Sequence, residues 1–177
     1  MRKQLYQAII AQLSLIQVNN QDQYITAAEL DSSKSAIKHF AIWNNQLQYL
    51  ADEQPFPLPA VFLQFNPILW EQRSKGIRAA DVSLTLHVIT RHIAGGSQSL
   101  TQPNIAFFDL LDAINANLYG LRADFFRNLV STSSATDHNH AELIDSQETY
   151  TVQLTDHSAM RPILKAAPQP IVNTSFQ

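Results

Sequence analysis

The fold of this chain is decided by residues 55–88, which read PFPLPAVFLQFNPILWEQRSKGIRAADVSLTLHV. Apolar residues alternate with polar ones in both halves of the stretch, at Val61, Leu63, Phe65, Val82, Leu84, Leu86 and Val88. A period of two is typical of strands that bury one face. The two halves are therefore predicted to pair as antiparallel strands, with Ser83, Thr85 and His87 facing away from the core.

A polar connection, residues 71–78, joins the two predicted strands and exceeds the usual hairpin loop of about two to five residues. Long loops often carry function. The connection combines an aromatic residue with positive charges, a mixture enriched at protein interfaces and also used on single-stranded nucleic acid. Trp70, Arg73, Lys75 and Arg78 are therefore candidates for an interface with a neighbouring subunit or a partner protein, and a plain solvated loop is the alternative.

Composition restricts the class of protein. A chain of 177 residues, 45% hydrophobic and 15% charged, is expected to fold as one packed domain. The net charge of -3 argues against attraction to nucleic acid or anionic lipid, and the absence of cysteine excludes disulfides and thiolate chemistry. Glutamines interrupt the opening segment MRKQLYQAIIAQLSLI, which favours a helix over a signal peptide, and no apolar run approaches the roughly 20 residues that span a bilayer.

Periodicity outlines the remaining elements. Apolar residues recur every three or four positions over residues 2–16 and again from Asn104 to Gly120, which predicts two amphipathic helices. Residues 23–26 are predicted to be extended. The Asn44-Asn45 pair predicts a hairpin over residues 37–50, with a helix as the alternative.

Two closing strands are predicted at residues 125–132 and 146–155. Together these elements predict an α+β domain over residues 1–157, with an antiparallel sheet of about four to six strands, two helices on one face and an insertion-like hairpin segment at about 19–54.

The last segment, residues 158–177, is predicted to be an extended arm because it contains three prolines and little periodicity. Such a segment cannot build a core alone. Apolar residues are nevertheless available to dock it on its own domain or on another copy, among them Ile163, Leu164 and Phe176.

Metal-capable side chains crowd together only in the loop from Asp137 to Glu142, which contains His138 and His140. The spacing favours a solvated loop, since no third ligand is defined and no HExxH helix is present. No nucleophile motif and no phosphate-binding glycine loop occur either. We therefore predict no catalytic residues, no metal, no cofactor and no enzymatic activity.

The order of these segments resembles a family of structural proteins. The motifs on which the resemblance rests lie between about Leu58 and His157. They are PLPAVFLQFNPILWEQRSKGIRAADVSLTLHVITR, NIAFFDLLDAINANL, FFRNLVSTSS and ETYTVQLTDH. In this order they resemble the tail-terminator, or tail-completion, proteins of long-tailed bacteriophages and prophages. The segment at 19–54 and the arm after Ser158 depart from that pattern.

The resemblance implies a homo-oligomeric ring, commonly a hexamer, that ends the tail tube and joins it to the head connector. Its partners would be the major tail protein and connector proteins, with DNA only passing through the lumen. It would be found in the host cytoplasm during assembly and then in the virion tail. The alternatives are a head-closure or neck protein, a small metal- or ligand-binding protein using the Asp137–Glu142 loop, or a nucleic-acid adaptor using the cations at 73–78.

Overall fold

A computed structural model of the chain describes residues 1–31, 33–49, 56–91, 103–137 and 143–160. The elements are, in order, α1 (Arg2–Leu13), β1 (Ile16–Val18), β2 (Tyr24–Thr26), β3 (His39–Ile42), a 3-10 helix (Gln46–Tyr49), β4 (Ala60–Phe65), β5 (Glu71–Ser74), β6 (Ile77–Arg91), α2 (Pro103–Leu118), β7 (Val130–Asp137) and β8 (Leu143–Asp156).

A six-stranded sheet organises the domain in the order β3-β4-β6-β8-β7, and β5 extends it by pairing with the start of β6. Every pair is antiparallel except β3 with β4, which is parallel. A separate pair, β1 with β2, is antiparallel. The predicted α+β class is confirmed, with one parallel pair in a sheet that was expected to be wholly antiparallel.

Both helices contribute to one apolar core on one face of the sheet. Alternate residues of β6 supply the centre of this core and are fully buried, at Val82, Leu84, Leu86 and Val88, as the alternation predicted. The helices add Leu5, Ile9, Leu13, Leu110, Ile114 and Leu118. Gly120 has a φ of 73°, a left-handed geometry that glycine adopts without strain, and it follows the end of α2 as predicted.

The opposite face of the sheet carries a smaller apolar cluster, formed by Leu47, Ala60, Phe62 and Ile89. Side chains from the segment between β3 and β4 pack on it, including Trp43 and Phe56. This segment therefore covers part of the sheet.

Three predicted boundaries were wrong. The hairpin expected over residues 37–50 does not form, because β3 pairs with β4 and the chain then turns into a 3-10 helix. The Gln46 side chain ties this turn together by donating to the Ile42 carbonyl and accepting from the Asn44 N–H. The first helix ends at Leu13, and Ile16 instead opens β1.

The strand expected at 125–132 begins later, at Val130. Ala123 and Phe126 exchange two backbone hydrogen bonds of 3.1 Å, which hold a turn there. Phe126 is buried in the core, so its hydrophobicity reflects packing of the turn. No helix within the described ranges is long and apolar enough to cross a bilayer.

Candidate functional site: the β5–β6 hairpin

The polar connection predicted as a loop forms a β-hairpin with a register shift between Gln72 and Ser74. β5 pairs with the first residues of β6, with Glu71 opposite Ala79 and a turn at Lys75 and Gly76. β4 pairs with β6 only from Leu84 onward, so the hairpin continues the sheet past the end of β4. All four β5 side chains are exposed.

Arg78 is held within the subunit by two contacts. Its Nε and Nη2 donate to the Oδ2 atom of Asp156 at 3.0 and 2.8 Å. Its guanidinium carbon lies 4.4 Å from the centre of the Trp70 ring, which is a cation–π distance. The Trp70 ring in turn packs against the main core. Arg78 and Trp70 therefore brace the hairpin, which leaves them less available to a partner than the prediction assumed.

Asp156 is the buried acceptor at the centre of this brace. The backbone N–H of Ser158 donates to its Oδ1 atom at 2.9 Å. That hydrogen bond, followed by those from the Ser158 side chain and Arg78, lowers the pKa of Asp156 to about 2. The carboxylate therefore stays charged through the physiological range and links the end of β8 to the hairpin.

The tip of the hairpin lies against the chain that leaves β8. Gly76 has a φ of 80°, and a Cβ atom at this position would lie 2.8 Å from the carbonyl oxygen of Ala159 and from Cα of Met160. Only glycine fits both the left-handed backbone and this close approach.

The remaining charges of the hairpin face solvent. Arg73 pairs with Glu71 at 3.0 Å, but both side chains are more than half exposed, so the pair contributes little to stability. Lys75 is exposed and forms no ion pair with any described residue. Leu69 was not predicted and is 83% exposed. The exposed hairpin surface consists of Leu69, Arg73 and Lys75.

Several predicted residues cannot be placed. His138 and His140 lie outside the described residues, as do Ile163, Leu164, Phe176 and the rest of the arm after residue 160. The described part of the chain contains no group of three or more metal-capable side chains.

A buried polar network at the middle of the sheet was missed by sequence reasoning. His87 Nδ1 donates to Asp145 Oδ2 at 2.9 Å, and His87 Nε2 lies 2.9 Å from Oε1 of Gln64. The Trp43 ring stacks on the His87 ring at 3.7 Å between centroids. His87 was expected to face away from the main core, and it does, but it is 4% exposed under the Trp43 segment.

This histidine–aspartate pair does not have the geometry of a catalytic site. A catalytic imidazole needs a nucleophile or a substrate proton at its second nitrogen, whereas that nitrogen of His87 faces an amide side chain. Trp43 also closes the ring face against solvent. No signal in the sequence marked this burial, since His87 shares the polar register of β6 with Ser83 and Thr85 and its partner Asp145 is 58 residues away.

Two open clefts lie elsewhere on the surface. One, of about 810 Å³, is lined by Arg122, Arg127 and Asp81 near the start of β7. The other, of about 460 Å³, lies between β2 and α2 beside Asp109 and Asp112. Both clefts are broad and open, so neither excludes water as a small-molecule site does.

Comparison with known proteins returns no matching family and no matching curated sequence.

Proposed function

We propose that this chain is a structural subunit of a phage or prophage tail, which forms a ring that ends the tail tube and joins it to the head connector. The proposal rests on the resemblance in the order of parts. The observation that supports it best is the β5–β6 hairpin, whose base is braced while its charged strand is exposed along its whole length.

A braced hairpin suits contact with a large partner. Because the ion pair between Arg78 and Asp156 already fixes its base, the hairpin loses little conformational entropy when it binds a partner. The exposed side chains of this surface, Leu69, Arg73 and Lys75, offer one apolar and two cationic groups, of which Arg73 is paired with Glu71. We assign the binding of the tail tube or the connector to this exposed hairpin surface.

The test is negative-stain electron microscopy of the purified full chain, alone and mixed with tail tubes. Closed rings or capped tube ends are the expected result. A chain that leaves the tube ends bare but binds purified connector would replace the terminator role by that of a head-closure protein. A chain that binds neither would overturn the tail assignment.

Charge reversal localises the contact. The variant R73E/K75E changes only exposed side chains, so it should fold normally and bind tubes at least tenfold more weakly. The matched control is R2E/K3E, which reverses two exposed cations on α1 and should bind like the wild type. Arg78 is left out of the variant, because its reversal would break the brace. Equal binding by both variants would remove the hairpin surface from the proposal.

A further inference from the structure

The two ends of the six-stranded sheet are open strand edges. Among the described residues, β7 pairs only with β8 and β3 pairs only with β4. The described structure gives the backbone of residues 130–136 no hydrogen bond other than those to β8. An unpaired edge presents a row of N–H and C=O groups that another strand can complete.

β7 carries no charged residue or proline over residues 130–136, and its register shift against β8 lies between Ser131 and Ser133, outside residues 134–137. Residues 130–136 read VSTSSAT and contain no lysine, arginine, proline or acidic residue, and all of them are exposed. Natural proteins commonly block free edges with charges or proline. An uncharged, exposed edge of seven residues therefore indicates a pairing site.

The strand register shows that the two edges lie at the same level of the sheet. One row of directly paired residues runs across the whole sheet from β7 to β3. Its members are, in order, Asp137, Asp145, Ile89, Ala60 and His39. Two residues further along the strands, the equivalent row of pairings connects Ala135 of β7 with Ala41 of β3. The four residues of β3 therefore face outward at the level of residues 134–137 of β7.

Strand directions decide how the two edges meet. β3 runs parallel to β4, β8 also runs parallel to β4, and β7 runs opposite to β8. If a second copy is placed beside the first in the same orientation, its β3 runs antiparallel to β7. That is the pairing that exchanges straight hydrogen bonds between adjacent strands.

The charged residues at the ends of the two edges also favour this antiparallel pairing of β7 with β3. At equal level, Asp137 of one copy lies opposite His39 of the next, and Lys38 is the adjacent residue. Lys38 is exposed, its Nζ donates to the Ser35 carbonyl, and strand alternation turns it to the opposite face from His39, so it adds positive charge near this end of the edge without a direct contact to Asp137. An acidic end of one edge therefore meets a basic end of the other, whichever contact Asp137 makes within its own chain.

We propose that β7 of one copy pairs antiparallel with β3 of the next copy, so that the sheet continues from subunit to subunit. The two edges are different surfaces, so the contact is heterologous and closes a ring when the rotation per copy permits. The inference rests on the proposed function for the ring, while the pairing itself follows from the two edges.

Engineered disulfides test the pairing, because the chain contains no cysteine of its own. The double variant A135C/A41C should cross-link into a ladder of dimers, trimers and higher species after mild oxidation of the full chain. Single variants A135C and A41C should stay uncross-linked. Dimers from A135C alone would show that β7 pairs with itself and would overturn the proposal. A double variant that stays monomeric at several hundred micromolar would overturn it as well.

A charge swap supplies a second measurement. H39D places a carboxylate opposite Asp137 and should weaken self-association by about tenfold in light scattering, which corresponds to about 1.4 kcal/mol. The double variant D137K/H39D restores opposite charges and should recover association. Failure of the recovery, with all variants folded by circular dichroism, contradicts the contact. Cross-linked ladders from a protein that does not cap tail tubes would support the strand pairing and contradict the proposed tail function. Capped tubes without cross-linked ladders would support the tail function and contradict the strand pairing.

Discussion

The two faces of the central sheet are buried by different means. The helix-covered face is lined along β6 by aliphatic side chains without exposed area, and it buries them under α1 and α2. The opposite face has a small apolar cluster and a histidine–aspartate pair under Trp43. One face relies on apolar area, and the other also depends on buried polar groups, among which both ring nitrogens of His87 have partners while Asp145 Oδ1 has none among the described residues.

Because the two faces are buried by different means, they lose stability in different ways when a buried side chain is substituted. Apolar packing fails gradually as methylene groups are removed. A buried polar pair fails as a unit, because loss of one partner leaves the other desolvated and unsatisfied. The two faces should therefore respond differently to substitutions of similar size.

The largest effect is expected on the helix-covered face. Leu84 is fully buried at the centre of β6, where it lies opposite Tyr150 of β8 and Phe65 of β4. L84A should lower the free energy of unfolding by about 3 kcal/mol, because it removes buried methyl groups and leaves a cavity. Urea denaturation measures this change.

The control for L84A is its neighbour on the other face. Ser83 is only partly buried and its Oγ accepts one hydrogen bond, from Asn66 Nδ2 at 3.0 Å, so S83A should lower the free energy of unfolding by no more than about 1 kcal/mol. Similar losses for the two variants would contradict the assignment of the core to the helix-covered face.

A smaller effect is expected when the polar pair is broken. D145A removes the acceptor of His87 Nδ1 and should lower the free energy of unfolding by about 2 kcal/mol. D145N keeps an oxygen at the same place and should lose less than half as much. If D145A matches the wild type in urea denaturation, the pair contributes nothing and Trp43 alone holds this face.

The helix-covered face could be predicted from sequence because its signal is local. Alternation at Val82 to Val88 and the three-to-four spacing of Leu110 and Ile114 each depend on one element. The position of β3 could not be predicted in this way. Its parallel pairing with β4 depends on tertiary contacts, and the Asn44-Asn45 signal suited a hairpin equally well.

The candidate site was predicted in part for the same reason. The residues at 70–78 were singled out as interface candidates, which stays a prediction, and the sequence could not tell which of them brace the hairpin and which face solvent. Arg78 differs from Arg73 only because Asp156, 78 residues away, lies beside it. Likewise, the open edge of β7 becomes visible only after its boundary moves from residue 125 to Val130.

A third prediction concerns the brace at the base of the hairpin. D156N removes the charge that Arg78 and the Ser158 N–H stabilise, and it should lower the free energy of unfolding by about 1.5 kcal/mol at pH 7. Because the pKa of Asp156 is lowered from 3.8 to about 2, its stabilisation is present above pH 3.8 and is lost as the pH falls toward 2.

The difference between wild type and D156N should therefore shrink between pH 4 and pH 2 in parallel urea titrations. D81N is the matched control, since Asp81 lies on the same pair of strands and is exposed. A difference from D156N that stays constant down to pH 2 would show that hydrogen-bond geometry, and not charge, stabilises the brace.

The smallest effect is expected at the hairpin tip. G76A forces a Cβ into the left-handed backbone and against backbone atoms of Ala159 and Met160, so the turn at residues 157–160 must be displaced. Because this displacement is confined to the hairpin tip and that turn, the global free energy of unfolding should fall by about 1 kcal/mol. The local effect should be larger, because a displaced turn weakens the Ser158 hydrogen bond to Asp156. Hydrogen exchange at the Ser158 amide should accelerate in G76A while exchange in the centre of β6 stays slow. Equal acceleration at both places would mean that the tip, the brace and the apolar core open together, and the two faces would then not be independent.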